Sequence, residues 1–143
     1  MNLPSITAEE CELLAEAREL ARRSNGPSRE RAGAIAVTRD GGRFPGVALR
    51  VAGSPALSIC AVPVALGAAR AGTDAPVTLL VLWIAATAAE QPCGLCLQLW
   101  LELAPAARFL RQREDGEPRV LSLAELLPDP FTRFEPTTGA APA

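Results

Sequence analysis

Three cysteines constrain this chain more than any other feature: Cys60 in Ser-Ile-Cys-Ala-Val, and Cys93 and Cys96 in Pro-Cys-Gly-Leu-Cys. A Cys-x-x-Cys pair with a third cysteine about thirty residues upstream makes a thiolate cage for zinc. It leaves one coordination position open, as catalytic zinc sites require. A fold that uses the cage must bring both segments to one place. The competing readings are three ordinary buried thiols, or a structural zinc site lacking its fourth ligand. The chain contains no histidine, which excludes Ser-His and Cys-His nucleophile pairs, imidazole bases and every zinc site with an imidazole. All fourteen basic residues are arginine, so a Schiff-base lysine and a Walker-type phosphate lysine are excluded too.

A chain of 143 residues, nearly half of them apolar, fits one domain with one core. Residues 1–134 read as that domain. The stretch 135–143, rich in Pro, Thr, Gly and Ala, reads as a disordered tail. A net charge of −2 gives no reason to expect nucleic acid as a partner. The N-terminus has neither the basic region nor the apolar core of a secretory signal. The uncharged stretch Ala75 to Ala89 is too short to span a bilayer. The longer one, Val51 to Ala69, is broken by Gly53, Ser54, Pro55, Ser58 and Pro63. No membrane association is expected, and a cytoplasmic location follows, where thiols stay reduced.

Thr7-Ala-Glu-Glu10 is a capping box that opens a helix running to about Arg23, with Leu13, Leu14, Ala17, Leu20 and Ala21 as its apolar stripe. Cys11, beside that stripe, is expected to be a buried thiol. Ala32 to Thr38 and Phe44 to Val51 read as strands joined by the turn Asp40-Gly41-Gly42. A helix from near Ser58 to Gly72 should carry Cys60 in its first turn, where Pro63 is tolerated. Val77 to Ala86 is a continuous apolar run, typical of a strand buried on both faces. A helix from Pro92-Cys93 to Leu103 ends at Pro105. Arg108 to Gln112 and Arg119 to Leu121 form a second hairpin, and Ser122 opens a short last helix. The order α-β-β-α-β-α-β-β-α predicts an α/β fold with helices on the faces of a sheet.

Placing Cys60 and the Cys93/Cys96 pair at two helix N-termini makes chemical sense, because backbone N–H groups and the helix dipole favour thiolates there. The surrounding residues resemble the zinc-dependent cytidine deaminase family. That family's pattern is a Cys-Ala-Glu (or His-Ala-Glu) segment followed later by Pro-Cys-x-x-Cys. The helix from Cys60 to Gly72 keeps the family's small and apolar spacing. Pro92-Cys-Gly-Leu-Cys-Leu-Gln98 looks like its Pro-Cys-Gly-x-Cys-Arg-Gln helix, and Ser122 to Phe131 resembles its C-terminal Leu-Leu-Pro-x-x-Phe segment. The resemblance implies a three-layer α/β/α fold with a mixed five-stranded sheet. Its last two strands would be antiparallel, as in the free-nucleoside deaminases. It also implies zinc on Cys60, Cys93 and Cys96, a nucleoside-like small-molecule ligand, and a homo-oligomer, a tetramer or dimer, with Phe131 near a subunit interface.

The chain departs from the family at functional positions. Val62 stands where the catalytic glutamate shuttles a proton between water, the base and the leaving amine. Pro63 and Leu97 replace two arginines that offset the charge of the thiolates. Leu49-Arg50-Val51 replaces the Asn-x-Glu that holds the ribose hydroxyls, and Glu30 replaces an aromatic residue. Glu90, just before Gln91-Pro92-Cys93, is the leading candidate for a substitute carboxylate, and Glu30 the next. Trp83 and Trp100 read as core. The resemblance implies a zinc-binding pseudoenzyme with a binding, regulatory or assembly role. The rival is a divergent zinc hydrolase acting on a nucleoside or another amidine-like substrate; a third reading makes zinc a structural staple.

Overall fold

The computed structural model describes residues 5–85 and 92–132. The expected strand end at Ala86, the candidate carboxylate Glu90 and the tail from residue 135 lie outside them. The described chain forms α1 (Ala8–Ala21), β1 (Ala32–Thr38), β2 (Arg43–Val47), α2 (Ala61–Gly72), β3 (Val77–Ile84), α3 (Gly94–Leu103), β4 (Arg108–Arg113), β5 (Arg119–Leu121) and α4 (Leu123–Leu126). This is the order that hydrophobic period and turn residues predict. The strands make one sheet in the order β2-β1-β3-β4-β5. Among the described strands only β3 and β4 run parallel, joined through α3, and β4–β5 is the expected antiparallel pair.

The capping box forms as expected: Thr7 Oγ1 accepts from the Glu10 N–H at 3.1 Å, and Glu10 Oε2 accepts from the Thr7 N–H at 2.9 Å. The first hairpin turns at Gly41, whose φ of +85° suits glycine. There the Thr38 hydroxyl, then the Gly42 N–H, hold the Asp40 carboxyl below its usual range. β2 stops at Val47 rather than Val51, because the chain leaves the sheet and Leu49 bridges Ile59 instead. Pro45 fits within β2 because that strand lies at the sheet edge, where one row of N–H groups has no ladder partner.

Two apolar layers result, one per face of the sheet. On one face α1 packs Leu13, Leu14, Ala17 and Ala21 against Ile35, Val81, Trp83 and Leu110. On the other, α2 and α3 bury Val62, Ala65, Leu66, Leu97 and Trp100 against Leu80, Leu82 and Phe109. Both tryptophans belong to these cores as expected, and the Trp100 indole N–H donates to the Ala107 carbonyl at 3.1 Å. Glycine lets both layers sit close: a Cβ on Gly33 would overlap the Ala17 carbonyl of α1, and one on Gly46 the Ala61 carbonyl of α2. Cys11 is exposed, not buried; Glu10 turns inward in its place and pairs with Arg108 Nε at 2.8 Å. Among the described residues no helix is long and apolar enough to cross a membrane.

Candidate metal centre

Cys60 and Cys93 are the N-cap residues of α2 and α3, one position earlier than a first-turn placement of Cys60. Both have extended backbone, and neither makes a side-chain capping bond. Their sulfurs therefore lie beside helix-terminal N–H groups that no side chain in the cap satisfies. Cys96 enters from the first turn of α3 and is buried. Gly46 fixes the approach of α2, since its missing side chain lets the first turn of α2 rest on β2.

The three sulfurs converge. Cys60 Sγ lies 3.8 Å from Cys93 Sγ, Cys93 Sγ lies 3.4 Å from Cys96 Sγ, and all three fall within 4.8 Å of one another. Tetrahedral zinc with sulfur at about 2.3 Å requires ligand sulfurs about 3.8 Å apart. The donor set fits a metal ion. Hydrogen bonding from the Cys96 thiol, helped by the Cys93 thiol and the Arg50 guanidinium, outweighs burial and brings the Cys60 thiol down to about 5. The same contact, together with burial, pushes the Cys96 thiol up. Without a metal, Cys60 is thus the sulfur that ionises and Cys96 the one that keeps its proton.

The sulfurs open into a cavity of about 110 Å³ whose apolar wall includes Val62, Leu82 and Ile84. Val62, where the resemblance to the family expects a glutamate, is 1% exposed and lines this space. Glu30 is the one carboxylate among the cavity's described lining residues, and Arg50 Nε pairs with its Oε2 at 3.2 Å. Glu90 lies outside the described residues.

Arg50 changes the electrostatic expectation. The resemblance implies that Pro63 and Leu97 replace two cations of the site, and Arg50 brings a positive charge to the Cys60 sulfur. Asn25 holds its backbone on both sides, its Nδ2 donating to the Arg50 carbonyl at 2.7 Å and its Oδ1 accepting from the Arg50 N–H at 2.6 Å. The Leu49–Ile59 bridge then sets Arg50 next to Cys60. Sequence reasoning missed both residues, because the pairing that joins them to the site is non-local. Leu49 and Val51, at the expected ribose positions, are exposed and do not line the cysteine cavity, but Val51 lines an adjoining cavity of about 420 Å³ that shares Glu30 and Arg50 with it.

No protein-family model matches the sequence. Solved structures do. The cytidine deaminase of Burkholderia pseudomallei is 31% identical, with a TM-score of 0.76 over 88% of this chain and 100% of that one. The enzyme of Mycobacterium tuberculosis is 26% identical, with a TM-score of 0.69 over 88% and 99% of the two chains. The Bacillus anthracis enzyme, at 19% identity and a TM-score of 0.64 over 86% of this chain and 89% of that one, shares the fold. With its mixed five-stranded sheet, its convergent cysteines and this likeness over nearly its whole length, the chain belongs to the cytidine deaminase family.

Proposed function

We propose that this protein binds zinc through Cys60, Cys93 and Cys96 and has left ordinary cytidine deamination for a binding, regulatory or assembly role. The observation that carries the reading is Val62: an aliphatic side chain, fully buried, facing the cavity beside the three sulfurs. Zinc held there supplies a Lewis acid. Hydrolytic deamination also needs a group that takes a proton from water and returns it to the ring and the departing amine. Val62 has no atom that does this. Arg50 offsets thiolate charge and binds Glu30, so the one carboxylate in the described lining is already engaged.

An apolar row on α3 supports self-association: Leu95 and Leu103 are exposed, as is the nearby Phe131, whose carbonyl accepts from Gln98 Nε2 at 2.9 Å.

The test is metal analysis combined with an ultraviolet assay for loss of cytidine, with enzyme in excess over hours. The expected result is about one zinc per chain and no turnover above background. The second reading, a divergent hydrolase, draws on Glu30 lining the same cavity as the sulfurs. Turnover of cytidine or another amidine-like substrate that Glu30→Gln abolishes would establish that reading in place of the first.

A further inference from the structure

The face of the sheet opposite the cysteines carries a second cavity, of about 350 Å³, between α1 and the start of β1. Its lining includes Arg18, Arg22, Arg29, Arg31, Trp83 and Glu114. It shares no described lining residue with the cysteine cavity. The two lie on opposite faces of β3, where Leu82 and Ile84 line the cysteine cavity and Trp83 between them lines the other.

We propose that this cavity binds a phosphorylated small molecule, its phosphoryl group held by Arg18 and Arg31 and its organic part set against Trp83. Arg18, Arg22, Arg29 and Arg31 line it with one carboxylate, Glu114, and Arg22 also pairs with Glu19 at 3.3 Å, in a chain whose net charge is −2. Such a cleft concentrates positive potential and attracts a counter-charge. Arg31 gives the sharpest sign, because its Nε is buried and has no hydrogen-bond partner among the described residues. Its backbone is fixed, with the carbonyl accepting from the Ala85 N–H at 3.0 Å, so the side chain is anchored at the cavity edge.

A buried donor without a partner is costly, and rotation of the Arg31 side chain toward a ligand oxygen would relieve that cost. A phosphate monoester has the matching chemistry: nearly two negative charges and three acceptor oxygens for planar, forked donors. A single carboxylate would neutralise less of the site. The volume exceeds what inorganic phosphate fills and sits at the lower end of small-molecule pockets. Trp83 is 7% exposed and supplies an apolar, aromatic wall.

The test is calorimetric titration of the full chain using phenyl phosphate, inorganic phosphate, benzoate and a single-stranded oligonucleotide as probes. Phenyl phosphate should bind once per chain, more tightly than inorganic phosphate, and both more tightly than benzoate. Arg18→Gln and Arg31→Gln should each weaken phenyl phosphate by about tenfold or more, with zinc content unchanged. Arg70→Gln, at an exposed arginine paired with Asp74, should leave the titration as it was. Arg18 is itself exposed, so its variant keeps the test valid should Arg31→Gln fold poorly. Absence of phenyl phosphate binding, equal binding of benzoate, equal loss in Arg70→Gln, or binding only of a single-stranded oligonucleotide would each overturn the proposal.

Discussion

The helix starts of this fold are built in two ways. α1 closes its N-terminus with its own oxygens, Thr7 and Glu10 satisfying each other's backbone donors, and Arg108 seals the glutamate from outside. α2 and α3 begin at cysteines that make no capping bond, and whose sulfurs cluster with that of Cys96. Serine, threonine, aspartate and asparagine are the residues that ordinarily cap. Where a chain departs from such a local rule twice, and the two departures meet in space, stability has yielded to a site. The first helix is a structural part; the other two hold three metal-competent sulfurs between their ends.

The largest effect expected from breaking this contrast is at Cys96. Cys96→Ser should take zinc from about one per chain to near zero and abolish the fall in melting temperature that a chelator causes in the parent protein. Where free zinc exceeds its dissociation constant a thousandfold, the lost stabilisation is about 4 kcal/mol. A parent protein whose melting is indifferent to chelator would show that the two kinds of helix start do not differ as described.

A paired substitution at the two close-approach glycines comes next. Gly33→Ala and Gly46→Ala should each cost about 3 kcal/mol or more, since the new methyl meets helix backbone in both. Only Gly46→Ala, which displaces the start of α2, should also weaken zinc binding, measured by competition with a chromogenic chelator. Equal zinc affinity in the two variants would mean that the seat of α2 on β2 does not set the position of Cys60.

Val62→Glu should lower stability by about 1–3 kcal/mol, as expected for a polar group placed in a buried site. It should keep zinc and leave cytidine turnover near background. Arg50 would help the new carboxylate ionise, but the ribose contacts and their positioning, worth many kcal/mol, remain missing. Robust turnover by this single variant would mean that the rest of the pocket is intact.

The smallest effects concern the caps themselves. Thr7→Ala should cost about 1 kcal/mol in thermal or denaturant unfolding and leave zinc content unchanged. Cys60→Ser should change sign with metal. It would destabilise the zinc-loaded protein, while in metal-free protein serine, a better cap, should gain a few tenths of a kcal/mol. A Cys60→Ser variant equally destabilised in both states would argue against an open cap.

Much of the fold was legible because its signals are local. The capping box, the Asp40-Gly41-Gly42 turn and the apolar run of β3 each depend on neighbours in sequence. The cysteine trio was legible from residue type and spacing. What escaped depends on contacts between distant segments. Cys11 borders the apolar stripe and reads as buried, yet Glu10 turns inward because Arg108, far along the chain, is there to pair with it. Arg50 falls within a stretch that reads as strand, and only the Leu49–Ile59 bridge and Asn25 carry it to the Cys60 sulfur. The arginine cavity draws its lining from α1, the approach to β1, β3 and the end of β4, so no single window of sequence announces it.

The contact between Cys60 and Cys93 spans 33 residues, and all of β3 lies inside that span. Closing a long loop costs chain entropy before any contact repays it, and parallel pairing of the β3–β4 kind forms slowly for that reason. The sulfurs of Cys93 and Cys96 meet as soon as the first turn of α3 forms, but the third joins them only after β3 has taken its place. An ion held by all three would therefore clamp the crossover shut once it is built without having guided the chain toward it. Zinc should slow unfolding strongly and leave the refolding rate almost unchanged, making the centre a kinetic lock on the native state.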